Sequence, residues 1–331
     1  MALRPFRLST DLRACAKVLP LAFQYPDNPS WSMQADEEEG LVGMLTSVAR
    51  IWPVVKFIQF VFPALSDYVR GFVWEEKEQM IGMILLHRCG RTDSWEIARV
   101  AVLPNHRQRG IGRSLVEASL NLIRKRGGRV VVLDVTAGNV PACRLYEQLG
   151  FTVFEGKAAF DYKRNESPPD IPQPCGYAVS PIDPSSDWRC EYELAQRVIP
   201  GNIQEYQPVE ETDFRPTLPE RLAAQIARRA GGTREERIAV RTSPGERVIA
   251  VAGYSARTRP GGVDHIDILI DPAHAEIAPY LLRNLIRTTR CLSPGRRIAF
   301  TVPLWQDGVI EAAHAAGCVK RLEYHRMGML P

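Results

Sequence analysis

A chain of 331 residues is long for one domain and comfortable for two. A hydrophobic share of 45% and a charged share of 24% are ordinary globular values and exclude a disordered or fibrous chain. The net charge of +4 supplies no basic tail, so no nucleic-acid partner is expected.

Leu3 to Leu8 reads as a first strand, and Thr10-Asp11 as the N-cap of a helix running to Phe23. Tyr25 to Ser32 is a Pro/Asn-rich loop. Asp36-Glu37-Glu38-Glu39 opens a second helix, with its acids set against the positive end of the dipole. Gly40 to Val61 keeps apolar residues at helical spacing until Pro53, with Trp52, Phe57, Phe60 and Phe62 crowded together. Simple helix packing accounts for such a stripe. Tyr68 to Trp74 and Met80 to Cys89 form a strand pair, Trp95 to Leu103 a third strand, and Ser114 to Arg126 a helix stopped by Gly127-Gly128. Val130 to Val135 is a β-branched run suited to a buried strand. Val140 to Leu149 is a short helix and Phe151 to Glu155 a returning strand.

Four prolines within Asn165 to Pro174 mark a semi-rigid linker. Beyond it the pattern repeats. Tyr177 to Pro181, Arg237 to Val240, Arg247 to Ala256 and Val263 to Ile270 read as strands, Ala278 to Arg290 as a helix and Arg297 to Val302 as a strand. Pro272 stands 168 residues after Pro104, and Gly317 stands 167 after Gly150, which argues for an internal duplication.

The seven cysteines are scattered, with no C-x-x-C, and read as free thiols in a reducing compartment. The six histidines form no ligand-spaced set, so no metal is expected. Met1 to Pro5 lacks the apolar core of a signal peptide. Gly40 to Leu65 is interrupted by Arg50, Pro53, Lys56 and Gln59, short of the roughly 18 apolar residues of a span. A cytoplasmic location without membrane contact is the expectation.

Chemistry concentrates between Val100 and Ser114. A strand ends at Pro104, a basic turn with Gly110 and Gly112 follows, and a helix begins. Gly at those positions lets backbone approach an anion. The first N–H groups of the helix point at whatever sits there. Arg107, Arg109 and Arg113 add charge-assisted donors. Neither the third glycine of a dinucleotide fold nor a Gly-Lys-Ser/Thr ending is present.

Arg107-Gln108-Arg109-Gly110-Ile111-Gly112 resembles the acetyl-CoA signature of the GNAT acetyltransferases, Arg/Gln-x-x-Gly-x-Gly/Ala. Beginning 27 residues after Gly112, Asn139-x-x-Ala142-x-x-Leu145-Tyr146-Glu147-x-x-Gly150-Phe151 is similar to the family's closing motif. The resemblance implies an α/β (α+β) fold of two GNAT-like domains, each a mixed, largely antiparallel sheet flanked by helices. It divides the chain into a catalytic domain at 1–164, a linker at 165–175 and a degenerate domain at 176–331. In the second copy Ala275, Ala278 and Tyr280 replace Arg107, Gly110 and Gly112, and Ala313 stands at the Tyr146 position. That reads as a lost cofactor site.

The family's chemistry implies acetyl-CoA as acyl donor. Backbone groups of Val100, Ala101 and Val102 would hold the pantetheine arm, with an N–H near Val102 facing the thioester oxygen. Residues Arg107 to Ser114, including Ile111, would take the pyrophosphate. Asn139 either bonds the arm or is a turn residue. Tyr146 is the candidate acid for the departing thiolate. Glu96 and Asp134 are equal candidates for the base, beside a water chain or no dedicated base. In the family's layout Gly40 to Val61 walls the acceptor site. The expected reaction is acetyl transfer to a primary amine, with a small-molecule acceptor favoured. A peptide or protein N-terminus and a non-catalytic acyl-CoA-binding module are the alternatives. The second domain would close the cleft or supply a homodimer surface.

Overall fold

The computed structural model describes residues 2–50, 70–89, 93–183, 186–217, 221, 224–225, 232–242, 247–258 and 261–330. Pro53 and the aromatic cluster Trp52, Phe57, Phe60 and Phe62 lie outside them. The chain divides into two units: Met1–Phe154 with His325–Pro331, and Glu155–Tyr324.

Unit 1 begins with strand β1 (Ala2–Pro5) and helix α1 (Leu8–Ala22). The helix starts before the expected Thr10-Asp11 cap. Asp11 instead reaches back from the first turns, its Oδ2 accepting from the Arg7 N–H at 2.7 Å while Arg4 pairs with it at 2.7 Å. Helix α2 (Ala35–Arg50) opens on the acidic run as expected, and Glu37 Oε2 accepts from the Gln34 N–H at 3.0 Å. Strands β2 (Arg70–Glu76), β3 (Gln79–Cys89) and β4 (Ser94–Val102) form an antiparallel meander. Helix α3 (Ile111–Lys125) carries the chain over to β5 (Val130–Thr136), which pairs parallel to β4. Helix α4 (Val140–Gln148) and strand β6 (Thr152–Tyr162) follow. The sheet order is β1-β2-β3-β4-β5, and β5 is flanked by β12 (Val319–Met329), whose residues from His325 onward belong to unit 1.

Alternation along β4 and β5 sends Trp95, Ile97, Val131, Leu133 and Val135 to one face, where Leu115, Leu120 and Ile123 of α3 cover them. Tyr146, Phe151, Met327 and Met329 complete that core. On the opposite face Leu12, Cys15 and Leu19 of α1 pack on Val73, Met83 and Ala101.

The elements of unit 2 are β7 (Ala178–Ile182), α5 (Trp188–Val198), β8 (Thr233–Arg241), β9 (Val248–Arg257), β10 (Asp264–Ile270), α6 (Ala278–Leu292), β11 (Ile298–Pro303) and α7 (Asp307–Ala315). They repeat the pattern in the order β6-β11-β10-β9-β8-β7. Leu281, Leu282, Leu285 and Ile286 of α6 fill its core against Ile266, Ile298 and Phe300.

The division differs from the boundaries expected at 164 and 176. It falls inside β6, which runs on to Tyr162, and the last strand returns to unit 1. Packing is the reason: Phe160 and Tyr162 are buried in the core of unit 2, whereas Met327 and Met329 are buried in that of unit 1.

Candidate active site

One extra residue in β4 opens the site. Across the β3–β4 pair Leu86 faces Ile97 but Leu85 faces Arg99, so Ala98 is a bulge. Pairing of β4 with β5 covers Ser94–Ile97 against Val130–Leu133 and ends there. A bulge sharpens local twist and turns a strand aside. Past Ala98, β4 therefore keeps β3 on one edge and parts from β5 on the other. The Leu103 N–H donates to Ile81 O at 2.9 Å, which fixes the phase of the strand. Backbone direction alternates along a strand, so Val100 and Val102 present their N–H and C=O groups to the opened edge.

The turn after Pro104 faces the same end. Arg107 is extended, Gln108 sits at φ +59° and Gly110 at φ +76° before the helix starts at Ile111. Left-handed backbone costs a non-glycine residue about 1–2 kcal/mol, so Gln108 stores strain at this turn. An ideal Cβ on Gly110 would meet nothing within 4 Å, so the left-handed φ, not crowding, asks for glycine here. Among the described residues the N–H groups of Gly110, Ile111, Gly112 and Arg113 take no acceptor, and the first that does is Ser114, to Gly110 O at 3.0 Å. Four donors converging at a helix start suit a phosphate.

The three arginines divide. The Arg107 guanidinium turns inward, donating to Ala22 O at 2.7 Å and Val102 O at 3.3 Å while lying 4.9 Å from the Tyr25 ring centroid. It braces α1 and the end of β4, which leaves its backbone to serve a ligand. Arg109 bonds His106 Nδ1 at 2.8 Å and approaches Glu76 at 3.4 Å. Arg113 bonds Gln148 Oε1. Both remain partly exposed at the rim as cations.

Tyr146 is buried on α4, edge-to-face with Phe151 at 5.9 Å. Burial raises the proton affinity of its phenol well above the ordinary tyrosine range, with Tyr25 and Cys143 adding to the effect. Its hydroxyl makes no hydrogen bond among the described residues. Asn139 caps α4, its Oδ1 accepting from the Ala142 N–H at 3.3 Å, which leaves its amide N–H groups as donors.

Glu96 stands one residue before Ile97, on the face away from α3, and its Oε2 lies 3.2 Å from His87 Nε2 across the β3–β4 pair. Asp134 shares that face of the sheet one position past the end of the β4–β5 pairing, 3.7 Å from Arg326 of β12. Glu96 and Tyr146 therefore lie on opposite faces of the sheet.

Sequence reasoning missed His87, Arg326 and the loop pair Tyr25 and Trp31. The Trp31 ring lies where a Cβ on Gly138 would come within 2.5 Å of it, and it packs edge-on to Tyr25 at 5.8 Å. Trp31 thus borders Gly138, the residue before Asn139.

Residues 49–151 match the description Acetyltransferase (GNAT) family. Over that stretch the chain is similar to the GNAT acetyltransferases. A mycothiol acetyltransferase of Corynebacterium glutamicum is 37% identical over 90 residues, covering 27% of this chain and 30% of its own. N-alpha-acetyltransferase 30 of Schizosaccharomyces pombe is 34% identical over 85 residues, covering 24% of this chain and 56% of its own. The chain thus spans less than two thirds of the length of either relative. A tandem GNAT protein from the clavulanic acid biosynthesis pathway matches 99% of this chain and 98% of its own with a TM-score of 0.64 at 13% identity, a likeness of fold. The whole chain has a tandem GNAT fold.

The equivalent wedge in unit 2 is filled from within. β9 and β10 pair without a bulge, and β10 pairs with β11 only at Asp264 and His265. Ile270, at the position of Val102, donates its N–H to Gln306 Oε1 at 3.3 Å and accepts from Gln306 Nε2 at 2.8 Å. The buried Gln306 side chain, set at the start of α7 as Asn139 is at the start of α4, thus takes up both backbone groups of Ile270, including the N–H whose counterpart at Val102 stays open. Residue Ala278 has ordinary helical backbone, and Tyr280 reaches Gln173 of the proline-rich segment at 3.4 Å. Ala313 is fully buried. Gln306→Ala would strand two buried backbone groups at about 1–3 kcal/mol each. The expected result is a lower urea midpoint for the unfolding of unit 2, with acetyl-CoA binding by the chain unchanged.

Among the described residues no helix is long and apolar enough to cross a membrane.

Proposed function

We propose that unit 1 transfers an acetyl group from acetyl-CoA to a primary amine by direct attack on the thioester. The observation that carries this reading is the β4 edge opened at Ala98 beside four acceptor-less N–H groups. A pantetheine arm can pair along Val100 and Val102 while its pyrophosphate sits on the turn from Gln108 to Ser114. The Val102 N–H then supports the negative charge developing on the thioester oxygen. Asn139 adds a donor to the arm.

The amine enters from the face of Glu96, and the departing thiolate takes a proton from Tyr146 on the other. Asp134 has a guanidinium beside it, whereas Glu96 has an imidazole that can pass a proton on. Glu96 is therefore the better placed base. An α-amine with pKa near 8 has a useful neutral fraction at neutral pH, and a lysine amine near 10.4 does not. A carboxylate base suits the first. A small molecule with such an amine is the favoured acceptor, bounded by Tyr25 and Trp31. A peptide N-terminus is the second reading, favoured by the likeness to an N-alpha-acetyltransferase.

Unit 2 serves as scaffold, its wedge closed by Gln306. Calorimetric titration of acetyl-CoA should therefore return one site per chain, and Gly110→Val should abolish it. Two sites would overturn the reading of unit 2, and no heat at all would overturn that of unit 1.

A further inference from the structure

Among the described residues one group of side chains outside the acetyl-CoA cradle has the make-up of a metal site: His87, Cys89 and Glu96. His87 and Cys89 are two apart on β3 and project from one face of the sheet, and Glu96 stands directly across from His87 on β4. We infer that these three residues form a binding site for a zinc-class divalent cation. The consequence drawn from it, that the bound ion inhibits acetyl transfer, rests on Glu96 being the base.

Distances favour the assignment. A tetrahedral zinc with nitrogen and oxygen ligands at about 2.0–2.1 Å holds those two atoms about 3.3 Å apart. His87 Nε2 and Glu96 Oε2 stand 3.2 Å apart. Two of three donors are thus already spaced as one ion would space them. The Cys89 thiol completes the group, all three donor atoms lying within 4.8 Å of one another. A zinc–sulfur bond of about 2.3 Å asks for a nitrogen–sulfur spacing of about 3.6 Å. Each residue is half-buried, so the ion has an entrance from solvent.

The donor set also selects the metal. One imidazole, one thiolate and one carboxylate suit zinc, whereas magnesium and calcium ask for six or more oxygens. Binding through a thiolate releases the thiol proton of Cys89 to solvent. Three protein ligands leave a fourth position for water. With its lone pair on the ion, Glu96 no longer accepts a proton from the amine. The ordinary alternative is an ion pair of His87 and Glu96 with a bystander thiol.

Cobalt(II) titration of the full chain separates the two without any turnover. The expected result is a near-ultraviolet thiolate-to-cobalt charge-transfer band that saturates at one ion per chain. Cys89→Ser should abolish the band and weaken cobalt binding by at least the roughly 10–100-fold seen for the loss of outer partners. No band in the unaltered protein, or a band that survives Cys89→Ser, overturns the site. Zinc should then suppress amine-dependent release of CoA, with chelator restoring it, and Cys89→Ser should keep basal turnover while resisting zinc. A cobalt band together with zinc-insensitive turnover upholds the site and overturns Glu96 as the base.

Discussion

Tyr146→Phe is expected to lower kcat by about 10²–10⁴-fold, the usual contribution of a positioned proton donor, while acetyl-CoA affinity stays where it was. The ring is what packs. It lies edge-to-face on Phe151 in a buried core, and phenylalanine keeps that contact. The hydroxyl is the proposed proton donor. It makes no hydrogen bond among the described residues, so its removal strands no partner and stability should change by less than about 1 kcal/mol. Burial shifts the titration of the phenol upward from the ordinary tyrosine range, so the proton donor is present throughout neutral and mildly alkaline pH. The loss in the variant should therefore be uniform across neutral and mildly alkaline pH. Rapid-mixing measurement of CoA release with a fixed amine, beside calorimetry of acetyl-CoA, reads both halves. An unchanged kcat would mean that the thiolate is protonated by water. A collapsed melting temperature would mean that the hydroxyl is structural.

The parts of this site that are continuous in sequence were legible in it. Arg107 to Gly112 offers backbone groups rather than side chains, and glycine spacing after a strand is enough to announce a turn whose N–H groups face outward. Tyr146 could be placed because Asn139, Gly150 and Phe151 fix it within one short helix and the turn that follows. What stayed hidden depends on register. His87 meets Glu96 only because the β3–β4 hairpin is in one particular phase, and the bulge at Ala98 shifts that phase by one residue. Neither composition nor period reveals such a shift. The role of Arg107 was hidden for a similar reason: a basic residue in a phosphate motif suggests a phosphate donor, but Ala22 O lies close enough to claim it. Gln306 is the instructive case in unit 2. The loss of glycine and arginine suggested an empty, degenerate site, but not that a glutamine side chain would supply the amide that the β10 edge needs.

The domain boundary has the largest consequence for experiment. Deleting residues 325–331 is expected to unfold unit 1 and abolish acetyl-CoA binding, although every residue of the cradle is retained. Met327 is fully buried and Met329 nearly so, both in the core that holds Trp95, Leu115, Tyr146 and Phe151. Truncating one such methionine to alanine costs about 2–5 kcal/mol, and a domain has about 5–15 kcal/mol in all. Removing both costs about 4–10 kcal/mol before the loss of the strand beside β5 is counted, comparable to the whole margin. Arg326 would also leave Asp134, and Gly328 O would leave the Thr152 hydroxyl that donates to it at 3.4 Å. The chemistry is tied to this strand as well. The Met329 sulfur lies 3.5 Å from where a Cβ of Gly150 would sit, at the left-handed turn that ends α4 and sets Tyr146 in place. Met329→Ala should therefore reduce kcat more than it weakens acetyl-CoA binding, a split that general destabilisation does not produce. Urea unfolding of the truncated chain, followed by circular dichroism and by calorimetry, tests the larger claim. The expected record keeps one transition, for Glu155–Tyr324, and shows no acetyl-CoA heat. A truncated chain that binds acetyl-CoA with unaltered affinity would mean that residues 2–154 close their own core.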